Sequence, residues 1–432
     1  MDYQETVRYL LALGGEVKGA KLGLDRIETL LERLGRPERA FRSVHIAGTN
    51  GKGSTAAMVE AGLRAAGFRT GLYTSPHLVR INERVQVAGR EIPDSDFAAA
   101  FEPVRAATEQ LLAEGALEAH PTFFECVTAL AFSHFRSAGV EHAVVEVGLG
   151  GRLDATNVVQ PVVAAITPVD LDHEAWLGKT AATIAGEKAG ILKQGVPAVF
   201  APQSAEVREV LEAQARELGI PVVRAGVDWR AENIRHHDGY YRFEALSYTG
   251  RELSVELSLA GEHQVTNALV AIAVLDLVGL TGKAIEQGLR QARWPGRLEK
   301  AAESPDILLD GAHNPAGARA LARYLEQHQR GRRIWLIYAA MRDKAVDEVA
   351  GILFPAAHRV FLTRVAMPRA LHPQALVSLV AHHHPQQQVS ESLAEALAAA
   401  RGSAKKEDII LVTGSLFLVG EARALLGLCS GP

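Results

Sequence analysis

Two cysteines in 432 residues are too few for a disulfide framework or a paired-cysteine metal site. Cys126 falls in an apolar helical pattern and Cys429 near the end of the chain, so a reducing cytoplasm is the expected compartment. No apolar run approaches the length of a membrane span. The opening stretch MDYQETVRYLLALGG starts acidic and lacks the apolar core of a secretory signal. Charge of one sign is missing too: 46 basic against 50 acidic residues gives no case for nucleic acid or an anionic membrane as partner. Repeats and low-complexity tracts are absent. The run Ala381–His384 (AHHH) stands alone beside Pro385 and reads as a solvated loop rather than a metal tract.

What is present is ordinary globular composition, 48% hydrophobic and 22% charged, at a length that calls for two domains. Residues 41–66, FRSVHIAGTNGKGSTAAMVEAGLRAA, carry the strongest signal. Val44 and Ile46 sit at strand spacing. Gly48, Thr49, Asn50, Gly51, Lys52, Gly53 and Ser54 form a glycine-rich turn, and Ala56, Ala57, Val59, Leu63 and Ala66 follow at helical spacing. Such a turn lets backbone N–H groups converge on an anion at the positive end of a helix, with Lys52 as a charge for the outer phosphates. Two positions depart from the GxxxxGK[ST] pattern. Ile46 replaces the first glycine, and Gly53 stands where a magnesium-binding hydroxyl belongs. A bound metal therefore needs ligands from elsewhere.

Beyond the loop, short apolar runs at 69–74, 141–148, 161–167 and 197–201 alternate with helical patterns, including 123–139. This predicts a doubly wound, mostly parallel α/β sheet. Residues 226–259 alternate differently and predict a small antiparallel sheet with turns at Asp238-Gly239 and Thr249-Gly250. An apolar helix at 267–280 follows. The segment RWPGRLEK (293–300) reads as a linker, which gives a nucleoside-triphosphate-binding domain over 1–296 and a smaller Rossmann-like α/β domain over 297–432.

Ligands of open α/β sheets gather at the carboxyl ends of strands. Those ends offer Ser75, Glu146, then Asp170, Asp172 and His173, with Glu187, Lys188 and Lys193 on a following helix. Glu146 follows three aliphatic residues, as a magnesium-holding carboxylate does in many nucleotide hydrolases, although a carboxylate satisfied by a helix terminus has the same pattern. Lys188 alone reads as an exposed helical lysine. GLGGR (148–152) lacks the third glycine of a dinucleotide fingerprint, and HEAWL (173–177) lacks the second histidine of HExxH.

Seven stretches, in order along the chain, resemble the folylpolyglutamate synthase and dihydrofolate synthase family of the Mur ligase superfamily. They are HIAGTNGKGST (45–55), GLYTSPHLVRINERV (71–85), VVEVGLGGRLDATN (144–157), DLDHEAWLG (170–178), IAGEKAGILK (184–193), WPGRLE (294–299) and LDGAHNP (309–315). The resemblance implies an ATP- and Mg2+-dependent amide ligase that adds L-glutamate to a pterin acid. It implies that Gly51 to Ser54 hold phosphates, that Ser75, Glu146 and His173 bind the metal, and that Lys188 is carbamylated. Asn267, Arg297 and Asp310 match nucleotide contacts, and His313 a cleft position. Leu22, Gly23, Leu24 and Asp25, then Thr122, Phe123, Phe124 and Glu125, then Leu153, Asp154 and Ala155 match the pterin side. A core helix face explains the two phenylalanines equally well. The forms SPHL (75–78) and LGLDR (22–26) resemble members that accept both dihydropteroate and reduced folates. Members restricted to folates, or another Mur-type ligase, are the alternatives, and a monomer is expected.

Overall fold

A computed structural model describes residues 1–14 and 23–428. Leu22 and Cys429 lie outside the described residues.

The first sheet has eight strands: β1 (Arg42–Ala47), β2 (Thr70–Tyr73), β3 (Val85–Val87), β4 (Arg90–Glu91), β5 (His142–Glu146), β6 (Val163–Ile166), β7 (Ala198–Phe200) and β8 (Val222–Arg224). Their spatial order is β4-β3-β2-β5-β1-β6-β7-β8. All neighbours run parallel except β2 with β3 and β3 with β4. The central strands are Val-, Ile- and Ala-rich and buried on both faces, as parallel strands under two helix layers must be. Register sets Ile46 of β1 opposite Glu146 of β5 and Ala47 opposite Ile166 of β6, so the carboxyl ends come out level.

Helices α1 (Tyr3–Ala12), α2 (Asp25–Arg33), α3 (Lys52–Ala65), α4 (Asp94–Ala113), α5 (Phe123–Ser137), α6 (Glu174–Leu177), α7 (Ala181–Ala189) and α8 (Ala205–Leu218) connect these strands. One core layer joins α1, α2, α4 and α5 to the β2–β5 side. A second joins α7 and α8 to β6 and β7.

The strands β9 (Trp229–His237), β10 (Tyr240–Ser247) and β11 (Glu252–Glu256) form the expected antiparallel sheet. Asp238 and Gly239 both take positive φ in the first turn, the combination a two-residue hairpin needs. Its inner face packs on α9 (His263–Val278), a helix apolar nearly all round and correspondingly buried, and on α10 (Gly282–Gln291).

The third sheet contains β12 (Glu299–Ala302), β13 (Asp306–Leu309), β14 (Ile334–Tyr338), β15 (Arg359–Leu362), β16 (Gln387–Val389) and β17 (Ile409–Thr413). The order is β12-β13-β17-β14-β15-β16, parallel apart from β12. Helices α11 (Pro315–His328), α12 (Val346–Leu353), α13 (Pro373–Val380), α14 (Leu393–Ser403) and α15 (Leu416–Leu425) cover its two faces. The segment expected as a pure linker, 293–300, runs directly into β12, whose polar residues conceal an edge strand. Carboxyl ends of β13 and β17 face those of the first sheet across a cleft of about 750 Å³.

Candidate active site

The cleft floor is the turn between β1 and α3. Gly51 is the residue before α3, with φ +86° and no side chain to cap the helix. A Cβ there would stand 2.3 Å from Asn267 Oδ1, so both backbone and space require glycine. The first N–H groups of the 14-residue α3 are left without a capping side chain. Lys52 folds back over the loop and donates to the carbonyls of Gly48 and Thr49 at 3.1 and 3.2 Å. Thr49 Oγ1 donates to the Asp170 carbonyl, which ties the loop to the segment after β6. Asn267 and Gln264 of α9 lie behind the loop, with Gln264 donating to Ser54 Oγ.

Gly53 has a packing explanation. A Cβ at this position would lie 2.6 Å from the Trp294 indole. The hydroxyl missing from the loop is thus replaced by the aromatic ring of the inter-sheet segment.

Ser75 and Glu146 end the neighbouring strands β2 and β5, and the Ser75 N–H donates to Glu146 Oε2 at 3.1 Å. Glu146 is buried. Desolvation pushes its carboxyl up to about 6, against the pull of Lys52 and the Ser75 N–H. His173 precedes α6 with φ +53°. Burial lowers its imidazole to about 4.

Lys188 of α7 is buried, contrary to the exposed lysine its sequence context suggests. The GLGG turn after β5 explains this. A Cβ on Gly151 would come within 2.7 Å of the Glu187 carbonyl, so only glycine lets the turn press against α7. Burial, reinforced by the charge of Lys52, brings the Lys188 amine down to about 7.

Across the cleft, Asp310 accepts from the Leu298 and Ala312 N–H groups, both at 2.9 Å, and so organises the start of the third sheet. Burial lowers the pKa of Arg297, which donates to the Gly296 carbonyl. His313 lies 3.5 Å from Asp172, while Lys344 Nζ pairs with Asp172 at 2.5 Å. Burial opposes the charge of Asp172, but the His313 hydrogen bond and Lys344 outweigh it and hold the carboxyl well below the usual range. Asn314 donates to Asn50 Oδ1 at 3.0 Å. Asn314 and Lys344 were not among the expected site residues; Asp172, already read as a candidate from its place after a strand, is the group they reach. Asn314-Pro315 carries a readable helix-start signature; an isolated lysine in MRDK carries none.

The expected pterin side divides. Gly23, Thr122, Phe124, Glu125, Leu153, Asp154 and Ala155 line the cleft. Thr122 and Glu125 also form the capping box of α5, which the T-x-x-E spacing announces, and Glu125 pairs with Arg26. Phe123 does not line the cleft: it is buried in the helical layer, with the Arg84 guanidinium 5.3 Å from its ring centre. Adjacent helical residues point about 100° apart, so Phe123 and Phe124 cannot share one role. Leu24 packs against that same layer, and Asp25 is an exposed first-turn residue of α2.

The Mur ligase middle domain matches residues 46–275 and the Mur ligase glutamate ligase domain matches residues 296–416. Folylpolyglutamate synthase of Lacticaseibacillus casei is 38% identical over 434 residues, covering 99% of each chain. Dihydrofolate synthase/folylpolyglutamate synthase of Bacillus subtilis is 34% identical over 419 residues, covering 94% of this chain and 96% of the relative. The chain belongs to the folylpolyglutamate synthase/dihydrofolate synthase family. It spans 50% of a Haloferax volcanii relative described as a probable bifunctional folylpolyglutamate synthase/dihydropteroate synthase, at 38% identity over 431 residues covering 98% of this chain. The structure of Mycobacterium tuberculosis folylpolyglutamate synthase complexed with ADP and AMPPCP superposes with a TM-score of 0.92 at 34% identity. That match covers 100% of this chain and 99% of the other. As a member of this family of Mur ligases, the chain is an ATP-dependent ligase with two α/β units. Among the described residues, no helix is long and apolar enough to cross a membrane.

Proposed function

We propose that this ligase joins L-glutamate to dihydropteroate and to reduced folates, through an acyl phosphate made in the cleft. The observation that carries the reading is the convergence, on one cleft, of an uncapped glycine-rich loop, the Ser75, Glu146 and His173 side chains and a buried lysine. A division at 296/297 separates the nucleotide-binding unit from the unit that closes over it.

ATP binds with its phosphates on the N–H groups of Gly51 to Ser54, and Lys52 stabilises charge on the outer ones. Asn267, Arg297 and Asp310 surround the rest of the nucleotide. Gly23, Phe124, Leu153, Asp154 and Ala155 hold the pterin acid so that its carboxylate faces the γ-phosphorus. That carboxylate attacks phosphorus, the bond to the bridging oxygen breaks, and ADP leaves. The amine of glutamate then attacks the acyl carbon, and phosphate departs with release of a proton. Water would hydrolyse the acyl phosphate, so the contacts of Asp172 and Asn50 with His313, Asn314 and Lys344 serve to keep the cleft closed.

Hydroxyl, carboxylate and imidazole donors on Ser75, Glu146 and His173 fit Mg2+ in charge, and Trp294 packed on Gly53 explains why the loop itself offers no hydroxyl. When bound, the ion neutralises phosphate charge. Neutral Lys188 in a buried site can add CO2, forming an N–C bond and losing a proton, which supplies an anionic oxygen beside that donor set. The enzyme acts as a cytoplasmic monomer in this reading.

The test is glutamate-dependent ADP formation with dihydropteroate and with tetrahydrofolate as acceptors. Activity on both, lost in Lys52→Ala and Glu146→Ala, is expected. Activity on tetrahydrofolate alone would reduce the assignment to folylpolyglutamate synthase. Full activity in either variant would remove the site.

A further inference from the structure

The AHHH tract does not form the loop that its composition suggests. Ala381–His383 makes a 3-10 turn directly after α13, and this turn aims two neighbouring imidazoles at one carboxylate. His383 Nε2 lies 2.8 Å, and His382 Nε2 3.3 Å, from the same oxygen of Asp347, in the first turn of α12. The two rings lie side by side, 3.9 Å between centres and inclined by 42°. Adjacent side chains on a strand or helix diverge, so two nitrogens facing one point from consecutive residues is an arrangement the turn creates.

We propose that Asp347, His382 and His383 form a surface binding site for a borderline divalent transition ion of the Zn2+ or Ni2+ class. The three donor atoms lie within 4.8 Å of one another, a spacing that ligands at about 2.0–2.2 Å from a shared ion can adopt. Two imidazoles and one carboxylate suit such an ion better than Mg2+ or Ca2+, whose donors are mainly oxygens. Gly351, one helical turn beyond Asp347, makes room for the site: a Cβ there would stand 3.0 Å from His383 Cε1. Asp347 and His382 are each 64% exposed, so an ion can enter from solvent and complete its coordination with water. His384 takes no part. Its Nε2 lies 3.0 Å from the Ala357 carbonyl and its Nδ1 3.2 Å from that of Gln386.

An ion here would cross-link residues 36 apart, joining α12 to the turn between α13 and β16. It would brace α12, which directly follows the loop carrying Lys344, the partner of Asp172 in the cleft. The site is separate from the ligase donors and uses none of them.

Titration of the full chain with Ni2+ by calorimetry tests the site in wild type, His382→Gln/His383→Gln, Asp347→Asn and His384→Gln. The double variant is expected to bind one ion fewer. Asp347→Asn is expected to weaken that ion roughly tenfold or more, and His384→Gln to match wild type. Thermal unfolding supplies an independent reading: Ni2+ raises Tm in wild type and His384→Gln, with a smaller rise in the double variant. Asp347 and His382 are exposed while His383 and His384 are half-buried, and the Tm without metal verifies that each variant keeps its fold. Equal stoichiometry and affinity in wild type and the double variant would overturn the proposal.

Discussion

Two turns face each other across the cleft, and they treat the start of a helix in opposite ways. Both follow a parallel strand and lead into a 14-residue helix, α3 after β1 and α11 after β13. In the β13 turn, Asn314 caps α11 by accepting from the Gly317 N–H, and Pro315 occupies the first helical position, where no donor is needed. In the β1 turn, Gly51 offers no side chain, so the N–H groups of α3 stay open to an anion. A satisfied helix end gives stability, and an unsatisfied one gives a binding site. The same contrast extends to buried charge. Asp408, at the start of β17, accepts from Arg333, Trp335 and the Lys405 N–H. Glu146 and Lys188 are buried with shifts dominated by desolvation, and no cluster of partners compensates them as Arg333, Trp335 and the Lys405 N–H compensate Asp408.

The sharpest way to break this comparison is to remove the cradle. Gly51→Val adds a Cβ against Asn267 on a left-handed backbone, and Lys52→Ala removes the phosphate charge. Each is expected to lower kcat/KM for ADP formation by at least about a hundredfold, while unfolding of Lys52→Ala in urea stays close to wild type.

Asp408→Asn attacks the satisfied cluster instead. It removes the charged acceptor shared by Arg333, Trp335 and the Lys405 N–H and should cost about 1–3 kcal/mol in urea unfolding at pH 7. Burial opposes the charge of Asp408, but Arg333, Lys405 N–H and Trp335 outweigh it and hold the carboxyl down to about 2. Because the folded value lies below the ordinary carboxylate value, the stabilisation is present above about pH 4 and fades as pH falls through about 2. The gap between wild type and Asp408→Asn should therefore narrow in acid. A gap independent of pH would mean that packing, and not charge, is responsible.

Lys344→Met tests whether the cleft contacts act in closure. It removes the lysine partner of Asp172 and leaves His313, and the expected outcome is a severalfold rise in ADP formed per amide made. Unchanged coupling would confine Lys344 to a structural ion pair.

Asn314→Ala is the mildest change. It removes the α11 cap and the bond to Asn50. About 1 kcal/mol of stability is expected to be lost, with nucleotide affinity affected far less than in Gly51→Val.

The alternating parallel sheets, the antiparallel insert with its Asp238-Gly239 turn, and the phosphate loop were legible because each rests on local periodicity and turn chemistry. The edge strands β12 and β16 were not. Their sequences are polar, and only pairing with β13 and β15 makes them strands. Within the site, spacing along the chain put Ser75 and Glu146 at strand ends, where the structure has them side by side. Spacing could not divide Phe124 from Phe123, and it made Lys188 look exposed until the GLGG turn was seen pressed against α7.

The sequence by itself determined where a phosphate can sit, because glycines, a lysine and a following helix act over seven consecutive residues. Why Gly53 lacks a hydroxyl, why Lys188 is buried and which groups reach Asp172 were decided by the tertiary structure alone. Those properties depend on Trp294, Gly151 and Lys344, residues far away in the chain that only packing brings within a few ångströms.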